Sequence, residues 1–153
     1  MKVICRRLMN CRIYMAALMS LGLIICGLSG CFGTLKDSAK QALTLETAMH
    51  QKISSGDLTG IYDGADQRYR DAVTRQKSDA LYSSIARKLG SPLDCTQGNT
   101  RFNVTTSGTT IVSVCNTKFS KDATGIETFT WIKSGDQFKL LSYYINSSEL
   151  IER

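Results

Sequence analysis

The chain has 153 residues and a formal net charge of +6, with 19 Lys and Arg against 13 Asp and Glu. Four of the 19 basic residues, and no acidic residue, lie in the first twelve positions, which leaves 15 basic and 13 acidic residues in the rest of the chain. This balance excludes the concentrated positive surface of a nucleic-acid-binding protein. The length allows one domain with a modest core rather than two domains.

The amino terminus has the charge pattern of a targeting segment. Its first twelve residues are basic, and the next eighteen, residues 13–30, carry no charged side chain. Such a basic end stays on the cytoplasmic side while the apolar stretch enters the translocon. Eighteen uncharged residues lie at the lower limit for spanning a bilayer, so length alone does not distinguish a signal peptide from a permanent anchor.

The end of this stretch is Leu28-Ser29-Gly30-Cys31. It resembles the lipobox of bacterial lipoprotein precursors, which has an aliphatic residue, two small residues and an obligatory cysteine. The resemblance implies that residues 1–30 are a cleaved signal peptide and that Cys31 carries acyl chains such as palmitate. Two or three chains hold a protein stably at a membrane. The alternative is an uncleaved transmembrane helix followed by a chance cysteine.

The residues after the cysteine refine the predicted address. Residues 31–34 form the lipidated cysteine and a short tether, so the domain 35–153 is expected to lie close to the bilayer. Position 32 is Phe, whereas Asp at this position favours retention in the inner membrane of bacteria. The resemblance therefore implies the outer membrane, with the domain facing the periplasm.

The first half of the domain has the apolar spacing of helices. Apolar residues recur three or four positions apart over residues 35–54, which predicts one amphipathic helix. Three further helices are expected to begin at side chains that cap helix amino termini, Asp57, Asp66 and Thr74. The last of these helices ends at Gly90.

After Pro92 the apolar period changes from 3.6 to 2, which indicates strands. Four antiparallel strands are predicted, joined by turns at 107–108, at Gly125 and at 134–136. Helices followed by an antiparallel meander predict an α+β fold, with the amino-terminal helices packed on one four-stranded sheet.

Two cysteines, Cys95 and Cys115, follow the lipobox cysteine. In an exported domain such a pair predicts a disulfide, because the periplasm is kept oxidising. Closing this loop would stabilise the fold by roughly 3 kcal/mol. Two free buried thiols are the alternative.

In the expected strand register, Cys95 and Cys115 are not opposite each other, which counts against an easy disulfide. A two-residue turn at 107–108 places Cys115 opposite Thr100, and Cys95 then lies roughly 17 Å farther along an ideal strand. A bridge therefore requires the chain to bulge or double back, and Gly98 and Asn99 are the residues that permit it.

Several short segments carry a wider resemblance. They are Ser55-Gly56-Asp57, Arg87-Lys88-Leu89-Gly90, Thr109-Thr110-Ile111-Val112, Glu127-Thr128-Phe129-Thr130-Trp131 and Tyr143-Tyr144-Ile145-Asn146-Ser147. Over residues 35–150 the chain resembles a group of small bacterial lipoproteins of uncharacterised function. Their layout is similar to the cystatin-like, or nuclear-transport-factor-2-like, fold, in which a long first helix packs in a curled antiparallel sheet. The resemblance implies no catalytic residue and no cofactor.

His50 is the sole histidine, which excludes a multi-histidine metal site. Glu46 lies four residues earlier and shares its helix face. Such a pair is more often a solvated contact than a zinc site, and two cysteines are too few for structural zinc. We therefore predict no metal ligands in the domain.

Five aromatic residues are candidates for lining an apolar pocket on the concave face of the sheet. They are Tyr62, Tyr69, Phe129, Trp131 and Tyr143. Aromatic residues at strand spacing more often belong to the core, so a packed core is the alternative.

The domain is therefore expected to be a non-enzymatic binding or scaffold module, with the membrane and another envelope protein as partners. The alternative is a small-ligand binder or enzyme with a pocket in the sheet. A filled concave face favours the module, whereas a wet cavity with convergent ionisable groups favours the pocket.

Overall fold

The computed structural model describes the backbone of residues 30–151 and the side chains of residues 39–151. Residues 1–29 of the predicted signal peptide and the side chain of Cys31 lie outside the described part of the chain. One of two compact units, Lys36–Arg153, contains the sheet and the short helices. Within the described part of the chain, no helix combines the length and the apolar character needed to cross a bilayer.

The helices are α1 (Gly30–Ser55), α2 (Leu58–Gly64), α3 (Gln67–Ala72), α4 (Arg75–Lys88) and α5 (Ser148–Ile151). The three predicted caps are confirmed: the side chains of Asp57, Asp66 and Thr74 each accept a hydrogen bond from a backbone N–H in the first turn of α2, α3 and α4. Helix α1 ends at Gly56, whose φ of 72° is the left-handed conformation of a helix carboxyl-terminal cap. The predicted first helix therefore exists, and it begins at Gly30 rather than at residue 35.

The strands are β1 (Pro92–Thr105), β2 (Gly108–Phe119), β3 (Thr124–Ser134) and β4 (Gln137–Asn146). They form one open antiparallel sheet in the order β1-β2-β3-β4, so β1 and β4 are its edges. Helices followed by a four-stranded meander confirm the predicted α+β class.

The β1–β2 turn differs from the prediction by one residue. Thr105 pairs with Gly108, so the turn residues are 106–107 rather than 107–108. The reason is local: the Thr105 hydroxyl accepts from the Ser107 N–H at 3.2 Å and donates to the Gly108 carbonyl at 3.1 Å, which closes the turn at this position. The bulge expected at residues 98–99 is present.

These two features determine where the cysteines lie. Cys115 pairs with Gln97, and the predicted pairing with Thr100 is wrong because the turn moves the register and the bulge adds a residue to β1. Cys95 pairs with Thr117, which makes the two cysteines diagonal neighbours on one face of the sheet. Their Cα atoms are 5.6 Å apart.

The core lies between the helices and one face of the sheet. Helix α1 contributes Ala42, Met49 and Ile53, and α4 contributes Tyr82, Ile85 and Leu89. The sheet contributes Ile111, Cys115, Phe129, Trp131 and Leu140. All of these side chains are at most 5% exposed. Burying this apolar surface, at about 25 cal/mol per Å², is the main force holding the helices on the sheet.

Gly90, between α4 and β1, has a φ of 90°. We expect Gly90→Ala to lower the free energy of unfolding by about 2 kcal/mol or more, because the new methyl group combines a strained backbone with a collision against the Ser120 hydroxyl. That hydroxyl accepts a hydrogen bond from the Ser91 N–H at 2.9 Å.

Gly56→Ala is the matched control. Gly56 has a φ of 72°, but no atom lies within 4 Å of the position that an added methyl group would take, so this variant carries the backbone cost alone, about 1 kcal/mol. Urea unfolding of both variants gives the comparison. Equal losses would show that the contact with Ser120 is unimportant.

Candidate functional site

A cluster of polar side chains lies buried between α1 and the sheet. The Nε2 atom of His50, on α1, donates a hydrogen bond to the Oε2 atom of Glu127, on β3, over 2.7 Å. The His50 side chain is 12% exposed and that of Glu127 is 0% exposed. This contact joins the helix to the sheet in a region of low dielectric, where a polar contact is stronger than in water.

Glu127 accepts two further hydrogen bonds. The Tyr143 hydroxyl donates to its Oε1 atom at 2.6 Å, and the Thr117 hydroxyl donates to its Oε2 atom. A buried carboxylate is costly unless donors replace the water it has lost, and here three side chains from α1, β2 and β4 do so. Burial raises the pKa of Tyr143 well above its usual value, so Tyr143 acts as a hydrogen-bond donor.

Glu46 is the second buried carboxyl group of the cluster. It lies on the buried stripe of α1 and is 0% exposed. Its Oε2 atom is 3.5 Å from the amide nitrogen of Gln97. The Ser113 hydroxyl lies near enough to lower the pKa of the carboxyl group, but neither this hydroxyl nor the Glu46 Oε1 atom has a partner within hydrogen-bond geometry. Burial raises the pKa of Glu46 above its usual range.

The predicted solvated contact between Glu46 and His50 is wrong. Both side chains face the sheet, because the face of α1 that carries them is the face that packs. The histidine pairs with Glu127, which is 77 residues away in the sequence, and not with its helical neighbour.

Cys95 and Cys115 lie beside Glu46. Their Cα separation of 5.6 Å is that of a disulfide, and their sulfur atoms are at bonding distance. This geometry fits the predicted bridge, which oxidation-state measurements would test. Among the described residues, Glu46, Cys95 and Cys115 also form a cluster of potential metal ligands. A carboxylate oxygen of Glu46 and the two sulfur atoms lie within 4.8 Å of one another. Metal binding would require both thiols to be free, since the thiolate is the ligand.

An open groove runs beside this cluster, between α1 and the beginning of β1. It has a volume of about 630 Å³. Its walls include Leu43, Thr47, His50, Leu93, Asp94 and Cys95. Leu43 and Leu93 are 42% and 69% exposed. The His50 ring and the Cys95 sulfur thus connect the buried cluster to the surface.

The structure divides the five predicted pocket-lining aromatics into two groups. Phe129 stacks on Trp131 at 5.6 Å between ring centroids and contacts Tyr143 at 5.1 Å. Tyr62 and Tyr69 form a separate pair, 6.2 Å apart, between α2 and α3. Trp131 lines a small cavity of about 140 Å³. Tyr69, Phe129 and Trp131 are at most 5% exposed and belong to the hydrophobic core, and Tyr62 and Tyr143 pack against it.

Sequence reasoning missed Glu127, the residue on which the cluster converges. The sequence contained a sign of its burial. Glu127, Phe129 and Trp131 occupy every second position of β3, so their side chains lie on the same face of the strand. A charged residue on a stripe of large apolar residues indicates a buried polar contact. The same signal applies to Glu46, which lies between Ala42 and Met49 on the buried stripe of α1.

Comparison of the chain with protein-family models and with curated protein sequences finds no match.

Proposed function

We propose that this chain is a bacterial lipoprotein anchored through acyl chains on Cys31, and that residues 35–153 form a non-enzymatic binding or scaffold module. Phe rather than Asp at position 32, directly after the lipobox cysteine, supports a location on the outer membrane with the module facing the periplasm. Its partner there is another protein of the cell envelope. The fold proposed for the module is cystatin-like, and the long helix α1 packed on an open four-stranded meander supports that assignment.

One observation carries the choice of a module over a pocket: side chains fill the helix-covered face of the sheet. Phe129, Ile111 and Cys115 on the sheet are 0% exposed, and Met49 and Ile53 on α1 are at most 5% exposed. Packed side chains occupy the space that an interior pocket would need. Binding then takes place on the outside of the domain.

A second candidate function, small-ligand binding or catalysis, is favoured by the groove beside His50. A buried carboxylate that holds one imidazole nitrogen orients the ring, and this arrangement is common where histidine acts as a base or a ligand. Native mass spectrometry of the protein released from membranes distinguishes the candidates. A small molecule retained by the protein and lost in His50→Gln would favour the pocket.

Lipidation is tested by the intact mass of the protein extracted from membranes. We expect the mass of residues 31–153 plus acyl chains, because the lipobox directs acylation before cleavage. Cys31→Ala removes the sulfur that takes the lipid, so this variant is expected to keep its leader and to gain no acyl mass. Accumulation of uncleaved precursor should be nearly complete.

Cys26→Ala is the control, because it removes a cysteine from the same apolar stretch but outside the lipobox. It should be cleaved and acylated like the wild-type chain. Recovery of all 153 wild-type residues with an unmodified Cys31 would overturn the proposal.

A further inference from the structure

The two residues of the cysteine pair differ in their exposure to solvent. Cys95 is half-buried and lines the groove between α1 and β1, whereas Cys115 is 0% exposed. Thiol–disulfide exchange requires a thiolate to approach one sulfur while the other departs. Of the two residues, Cys95 is therefore the one that a thiolate can approach from the groove, and Cys115 is covered.

A buried acid lies beside the same sulfurs. The Oε2 atom of Glu46 is 3.8 Å from the Cys95 sulfur, and one carboxylate oxygen is within 4.8 Å of both sulfurs. Its Oε1 atom has no hydrogen-bond partner. Because burial raises the pKa of this carboxyl group, the group can retain a proton at a pH where a solvated glutamate has lost it. A departing thiolate in this apolar region would need such a proton.

We propose that the Cys95–Cys115 disulfide exchanges with a dithiol of a partner molecule, and that Glu46 donates the proton to the departing sulfur. A partner thiolate attacks the Cys95 sulfur, a mixed disulfide forms, the bond between Cys95 and Cys115 breaks, and the Cys115 thiolate takes the proton of Glu46. The second partner thiol, losing its proton to water, then displaces Cys95, whose thiolate takes up a proton from water. The partner is oxidised to a disulfide, and the domain is reduced to two thiols by the same two electrons.

This exchange is stoichiometric, one disulfide for each domain, so it goes beyond the proposed module function without requiring an enzyme. It does not depend on the lipid on Cys31. Failure of the exchange would leave the anchoring proposal intact, and failure of anchoring would leave the exchange intact.

The test uses the full-length oxidised chain in detergent, with dithiothreitol as the dithiol probe. Free thiols are alkylated at intervals, alkylation of Cys95 and Cys115 is quantified by peptide mass mapping because the chain has four other cysteines, and each rate is divided by the concentration of dithiothreitol thiolate. We expect this thiolate-specific rate to rise at least about tenfold as the pH falls from 8 to 5 in the wild-type chain, because Glu46 becomes protonated. In Glu46→Gln it should stay flat.

The other titratable groups around Glu46 are His50 on α1 and Glu127 on β3, with Tyr143 on β4 bonded to Glu127. If protonation of one of these caused the rise, Glu46→Gln would retain it, and that outcome would overturn the proposal. Asp63→Asn, which makes the same change of carboxyl to amide at a site 55% exposed, is the matched control and should behave like the wild-type chain.

A second measurement needs no variant and so does not depend on Glu46→Gln folding. Brief treatment with glutathione traps the mixed disulfide, and peptide mass mapping identifies the attacked sulfur. Glutathione on Cys95 is the expected result. Three results would each overturn the proposal. They are glutathione on Cys115, a rate in the wild-type chain that does not change with pH, and free thiols at both Cys95 and Cys115 before any reductant is added.

Discussion

Glu127→Ala is expected to lower the free energy of unfolding by about 3–5 kcal/mol. The substitution removes the carboxylate that accepts hydrogen bonds from His50, Thr117 and Tyr143, and leaves these three donors unpaired beneath α1. A buried donor without an acceptor costs more than the net value of the hydrogen bond it has lost. Urea unfolding followed by the fluorescence of Trp131, the single tryptophan, measures the change.

Asp63→Ala provides the control for this prediction. Asp63 forms an ion pair with Arg75, but the two side chains are 55% and 45% exposed, so water replaces the lost contact. The expected loss is less than about 1 kcal/mol. Similar losses in the two variants would show that the Glu127 cluster does not hold α1 on the sheet.

Phe129→Ala is expected to lower the free energy of unfolding by about 3–5 kcal/mol through a different cause. The Phe129 ring is 0% exposed, and its centroid lies 5.6 Å from that of Trp131, 5.1 Å from that of Tyr143 and 5.9 Å from that of His50. Its removal leaves a cavity between α1, β3 and β4 that rigid neighbours cannot fill. Thermal and urea unfolding followed by far-ultraviolet circular dichroism measure the loss, since the change lies next to the fluorescent residue.

Tyr144→Ala is the matched aromatic control. Tyr144 pairs with Thr128 on the other face of the sheet and is 63% exposed. We expect its loss to remain below about 1 kcal/mol. A comparable loss at Tyr144 would mean that the outer face of the sheet is covered in solution.

The effects of Glu127→Ala and Phe129→Ala should not add. Both residues contact His50 and Tyr143, so each substitution already disturbs the partners of the other.

Glu46 differs from Glu127, because the buried carboxyl group of Glu46 lacks a complete set of hydrogen-bond donors. Folding raises its pKa, so its contribution to stability is present below the usual carboxyl pKa and is lost as the pH rises through the raised value. The chain thus retains a group that costs stability near neutral pH, which is expected of a functional residue.

Local chemistry explains the features that sequence reasoning predicted correctly. Asp57, Asp66 and Thr74 begin helices because a short polar side chain satisfies a backbone N–H within its own turn. The period of 2 after Pro92 predicts strands because alternate side chains face opposite sides of a strand. The bulge at residues 98–99 follows from two residues that tolerate irregular backbone.

The candidate site did not follow from local chemistry. The pairing of His50 with Glu127 joins groups 77 residues apart and exists only once α1 lies on the sheet. The approach of Cys95 to Cys115 depends on both the position of the β1–β2 turn and the bulge at residues 98–99, because the extra residue in the bulge reverses the faces of the side chains beyond it.

The sequence by itself determined the α+β class, the starts of α2, α3 and α4 and the alternation of faces along each strand, since these depend on residues a few positions apart. Only the tertiary structure decided which polar residues on those faces were removed from water and which partners they met. The physical reason is that burial changes the energy of a carboxylate by several kcal/mol, and burial is a property of the packed chain rather than of any short segment.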